Sequence, residues 1–143
     1  MQDQKRAHSH RIIGSAIYDG LVILGLLMIV GFLAVGIHYW VTGAETIENS
    51  LAYQIFLLLV IISYFLYFWR ASGQTVGMKA WRIKLVNLEP NPIKPSQMAL
   101  RLLMAIPAYS CLFLGVLWQY WGKSGLNWHD IASKTKLIYL PKR

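Results

Sequence analysis

The residue in this sequence that most demands a chemical explanation is an aspartate inside an apolar run. Arg11 to Trp40 reads RIIGSAIYDGLVILGLLMIVGFLAVGIHYW, and after Asp19 no charged residue follows until Glu45. At about 1.5 Å of rise per residue of helix, Asp19 lies roughly 12 Å along the axis from Arg11, well below the head groups if Arg11 marks the interface. A carboxyl group at that depth needs a partner, a proton or water. Arg11, Arg101 and a second acid, Asp130, are the candidates for a charge network or an ion site around it. Two chemistries fit. Desolvation favours a neutral acid and a nearby guanidinium favours a carboxylate, so Asp19 could exchange a proton or cation with Arg11 or Arg101 tuning it. Alternatively, Arg11, Asp19 and Arg101 form a structural ion-pair network where the helices meet, with Asp130 tying down the tail.

The other reactive side chains do not assemble into an enzyme. GQTVGMKA lacks the glycine-to-glycine-lysine spacing and the following Ser or Thr of a phosphate loop. His129 beside Asp130 suggests a base and its orienter, but no Ser or Cys nucleophile is assigned to them, and Asn127 or Asp130 reads better as a helix cap. His8 and His10 form at most a weak metal pair on what reads as a disordered tail. Cys111, the one cysteine, reads as a small packing residue and excludes an internal disulfide. No enzyme, cofactor or metal is expected.

The elements that must position these residues are membrane helices. Of 143 residues, 56% are hydrophobic and 14% charged, and the mean hydropathy is +0.43, a balance that points to the bilayer as solvent. The net charge of +8 does not imply nucleic acid, because the cations sit beside apolar segments and not in a long solvated patch. The first span, about 12–40, is too long for a signal-peptide core and no A-x-A site closes it, so it reads as an uncleaved helix. Tyr39 and Trp40 close it at an interface, and the acidic loop carrying Glu45 and Glu48 is the non-cytoplasmic one. The second span is about 51–69, ending at Arg70.

A cytoplasmic loop, 70–97, follows. It opens with the turn motif Gly73, Gln74, Thr75 and Gly77 and continues with an alternating, strand-like stretch from Trp81 to Val86. A turn-forming connection then contains Pro90, Pro92 and Pro95. A third apolar block, 98–121, contains Pro107. It is read as a hairpin broken at Pro107 with help from Gly115, or as a single third span. The basic tail, 122–143, favours the hairpin, as does its alternating stretch Thr135 to Leu140, which could pair with Trp81 to Val86 only on the same side of the membrane. The expected fold is therefore an all-α membrane protein in one domain, with two transmembrane helices, a third apolar block and short cytoplasmic strand-like segments. Its N-terminus is cytoplasmic by the positive-inside bias.

Partners can be read from surfaces. Gly14, Gly25 and Gly36, and separately Gly20 and Gly31, recur every eleven residues along narrow lanes of the first helix, candidate faces for other helices or for a second copy. Arg70, Lys79, Arg82 and Lys84 are candidate contacts to anionic lipid head groups. Trp118, Tyr120 and Trp121 read as interfacial anchors.

Arg11 before the first span, YDG within it, GQTVGMKAWRIKLV in the middle and NWHDIASKTKLIYLP near the end together resemble the RDD family of bacterial membrane proteins, named for one arginine and two aspartates. The resemblance covers nearly the whole chain and assigns the family residues to Arg11, Asp19 and Asp130. It implies an inner-membrane protein without an established activity, suggested to take part in transport of unknown ligands. Two positions depart from the family pattern. Ile131 stands where a base usually follows the second aspartate, and Lys134 stands near where a glycine is common. The expected function is an accessory or assembly subunit that packs with partner membrane proteins, with an oligomeric ion or small-ligand transporter as the alternative.

Overall fold

The structure is a computed structural model that describes residues 6–44, 47, 50–110, 120 and 128–141, with backbone alone at 107–110 and 128–129. Two long helices dominate it. α1 runs Ser9–Thr42 and α2 runs Leu51–Ser72, and both are long and apolar enough to cross a membrane. Both extend past the apolar runs that announce them, because a helix continues until something competes for its carbonyls. At the ends of α1 and α2, Gly43 and Gly73 take the left-handed conformation, each with φ 70°, and each donates its N–H to the carbonyl four residues back. Ser50 caps the start of α2 by accepting from the Tyr53 N–H at 3.4 Å.

The outer surfaces of these helices are apolar and uncovered. Phe32 is 80% exposed and Trp40 86% exposed, which is stable only against lipid or protein. The buried side chains gather instead at one end, where the start of α1 and the end of α2 meet a small cap. The cap comprises α3, Val76–Ala80; β1, Ile83–Asn87; α5, Trp128–Ser133; and β2, Thr135–Tyr139. Ile12, Trp69, Met78, Ile83, Leu85, Met98 and Leu137 form its core.

β1 and β2 pair antiparallel, with Leu85 opposite Leu137 and Asn87 opposite Thr135. The alternation seen in the sequence follows from this ladder, since Ile83 and Leu85 point into the core while Lys84 lies on the other face. Ahead of α1, Arg6 bridges to Ile138, and the Ala7 N–H donates to the Leu137 carbonyl at 3.0 Å. Residues 6–8 are thus held along the sheet, where the sequence suggested a loose tail. Ala7 can be buried there because it is small and apolar.

α4 runs Pro95–Ser110. Its start explains the last proline of the connection: Pro95 is the first helical residue, where a missing N–H costs nothing, and the Gln97 side chain accepts from the Lys94 N–H at 2.9 Å. The break expected at Pro107 is not there. α4 continues through Pro107 to Ser110, because proline's fixed φ is compatible with a helix and only one intrahelical donor is lost. Apart from Tyr120, the rest of the third block, including Cys111, Gly115, Trp118 and Trp121, lies outside the described residues, as do Glu45, Glu48 and Asn127. Tyr120 is exposed. What the structure does give is the position of the two flanks of that region, since the first turns of α4 pack directly against α5.

The glycine lanes are used at few points. A Cβ on Gly14 would fall 2.4 Å from Cζ2 of Trp81, so that position admits the indole, and Gly31 faces the Tyr53 hydroxyl. Gly20, Gly25 and Gly36 face open space within this one chain.

Candidate functional site

Asp19 is 4% exposed, and α2 and the capped start of α3 converge on its carboxylate. Oδ1 accepts from the Tyr64 hydroxyl of α2 at 2.8 Å and from the Gly77 N–H of α3 at 2.8 Å, while Oδ2 accepts from the Thr75 hydroxyl. Thr75 is fully buried and also caps α3, its oxygen accepting from the Met78 N–H at 3.2 Å. Gly77 has a steric reason to be glycine. A Cβ there would lie 2.3 Å from the Ser15 carbonyl oxygen and 2.8 Å from Asp19 Cγ, closer than atoms can approach. The absence of that carbon lets α3 press its backbone onto α1.

Each residue of the motif Gly73, Gln74, Thr75, Gly77 therefore has a task in positioning the acid. Gly73 turns the chain out of α2 with its positive φ, and its carbonyl accepts from the Leu85 N–H at 2.8 Å. The Gln74 amide donates to the Ile83 carbonyl at 2.8 Å, fixing β1 relative to the turn. Thr75 and Gly77 then bond Asp19 directly.

The second centre is built on α4. Arg101, 4% exposed, donates from Nη1 to Asp130 Oδ1 in a salt bridge and to the Thr135 hydroxyl at 2.8 Å. Its guanidinium carbon lies 5.8 Å from the Trp69 ring centroid, within cation–π range. Ser133 and Thr135 share a hydrogen bond at 2.7 Å, and the Gln97 amide reaches the Ser133 carbonyl at 3.0 Å. Asp130 does sit in the first turn of a helix, α5, but its side chain goes to Arg101. Trp69 Nε1 is buried without an acceptor among the described residues.

The single network expected from the sequence is thus two separate centres. Among the described residues, Asp19 is held by neutral donors alone and Arg101 is satisfied by Asp130 and Thr135. Arg11 joins neither. Its Nη1 donates to the Trp81 carbonyl at 3.2 Å, and its guanidinium stacks over the Tyr139 ring at 4.4 Å from the centroid. The physical reason is geometric. Two hydroxyls and a backbone amide, brought up by α2 and the start of α3, give the carboxylate three hydrogen bonds, so it is held without a guanidinium. Sequence reasoning missed Tyr64 because it sits in an aromatic-rich span. The one usable signal was the spacing of Thr75 and Gly77 at the start of a short helix.

Asp19 and Arg101 do face one shared space, a cavity of about 110 Å³ whose walls also include Ser15, Thr75, Trp69 and Leu102. No group of three or more His, Cys, Asp or Glu side chains among the described residues is arranged to hold a metal ion.

Residues 7–134 match the RDD family, a span that takes in Asp19 and its partners, Arg101, Asp130 and every residue of the turn motif. The chain belongs to the RDD family. Neither a curated protein nor a solved structure matches it. The resemblance implied Arg11, Asp19 and Asp130 as the residues to compare. The structure gives these three residues separate neighbours. Lys134 has φ 51°, the left-handed region in which a glycine rests without strain. Ile131, which follows Asp130, is exposed, and the cation paired with that acid, Arg101, comes from α4.

Proposed function

We propose that this RDD protein is an accessory or assembly subunit of a bacterial inner membrane, a rigid clamp that presents apolar helix faces to partner membrane proteins. The observation that carries this reading is the engagement of Asp19. Its carboxylate is occupied by α2 and α3 together, which is the arrangement of a structural tie and leaves little of the acid for a moving ion. The cap that it fixes is basic: Arg70, Lys79, Arg82, Lys94 and Lys134 are exposed on it, and by the positive-inside bias this end, with residues 6–8, is cytoplasmic. Pairing of β2 with β1 supports a third apolar block that returns to that same side.

A specific feature favours the alternative, an oligomeric transporter. The 110 Å³ cavity between Asp19 and Arg101 has room for a few water molecules at about 30 Å³ each, or for a small ion. The two readings separate in proteoliposomes containing the purified protein alone. The clamp predicts proton and sodium fluxes no greater than in empty vesicles, with Asp19→Asn lowering the melting temperature of the detergent-extracted protein. Flux that is above background and is abolished by Asp19→Asn in a protein that still melts like the wild type would replace the clamp with the transporter.

A further inference from the structure

The cations at the end of α2 are not one diffuse patch. Arg70, in the last turn of α2, and Lys84, on the outward face of β1, line a common groove of about 560 Å³ whose other walls include Ser72, Gly73, Ile93 and Met98. Lys79 and Arg82 lie elsewhere: Lys79 reaches over the Phe68 ring at 5.9 Å, and Arg82 occupies the left-handed turn before β1. Lys84 is held in place over the helix end, its Cε and Cγ within 3.2 and 3.5 Å of where a Cβ on Gly73 would stand. No acidic side chain is among the described residues that line the groove.

We infer that this groove is a binding site for one anionic phospholipid. The phosphate sits between the Arg70 guanidinium and the Lys84 ammonium, and the glycerol and upper acyl chain lie on Pro92 and Ile93. Three observations carry the assignment. The groove opens where a 22-residue apolar helix ends, the depth at which lipid phosphates lie. Its wall is about half polar and half apolar in character, matching an amphiphile and not a free ion. Its two charges are both positive, and an arginine offers a phosphate a forked pair of donors.

The test uses the full chain in nanodiscs of mixed phosphatidylglycerol and phosphatidylcholine, with retained lipid counted by native mass spectrometry. Phosphatidylglycerol should be retained over phosphatidylcholine. Arg70→Gln and Lys84→Gln should each lower retention about fivefold, the effect of one cation close to an anionic lipid. Lys79→Gln and Arg82→Gln should change it by less than about twofold. Arg70→Lys and Lys84→Arg, which keep the charge, guard against loss through misfolding and should retain the lipid. Equal losses in all four glutamine variants, equal retention of the two lipids, or displacement by inorganic phosphate at a concentration matching the lipid would each overturn the site.

Discussion

At Gly77 a single hydrogen stands where any side chain would collide with the Ser15 carbonyl and the Asp19 carboxyl, so the least reactive residue of the site is the one with no substitute. Gly77→Ala should destabilise the protein by about 2 kcal/mol or more, because neither contact is the far end of a flexible chain that could move aside. Thermal unfolding of the detergent-solubilised protein would register it. Asp19→Asn keeps the shape but turns one acceptor into a donor facing donors, and should cost about 2–4 kcal/mol in the same assay. Lys134 gives the opposite sign. With φ at 51°, Lys134→Gly should raise stability by about 0.5–1 kcal/mol, the strain of a left-handed lysine outweighing the added freedom of the unfolded chain. Which residues mattered was legible, since Asp19 stood out by hydropathy alone. What they touch was not. A search for opposite charge looks past hydroxyls and backbone amides, and the acid's partners stand 45, 56 and 58 positions away.

Among the elements, α4 and the segment from α5 to β2 depend on one buried ion pair. Removing either partner leaves a charge in a site where Arg101 and Asp130 are each under 6% exposed, so Arg101→Met or Asp130→Leu alone should cost about 3–5 kcal/mol. The double replacement should be milder than either single one, since apolar side chains of similar volume suit that core; a thermodynamic cycle over the four proteins measures the coupling. The two long helices were legible because a run of apolar residues has few other solutions in lipid, and the strands showed as alternation. The path of α4 was not legible. Proline is an ambiguous signal in a membrane helix, which can tolerate it, and at Pro107 the backbone stays helical.

Taken whole, the described residues form a pair of long apolar helices joined at one end by the cap, and the cap draws on nearly the full length of the chain. Strand pairing of β1 with β2 makes a direct topological prediction. With Cys111 replaced by Ala, Val86→Cys and Lys136→Cys, which face each other in the register, should form a disulfide on mild oxidation of the purified protein. Failure of that pair to link, while Val86→Cys alone is readily labelled, would mean that the strands do not meet.

The hydrogen bond from Ala7 to Leu137, together with the bonds from Thr75 and Gly77 to Asp19, fixes an order of events during synthesis. α1 leaves the ribosome first, carrying an acid whose last partner lies 58 residues further on, about 3 to 12 seconds later at ordinary elongation rates of roughly 5–20 residues per second. Throughout that interval the nascent helix has to shelter its carboxyl in the insertion machinery or in water. Its start is secured later still, when β2 arrives and the Leu137 carbonyl accepts from the Ala7 N–H.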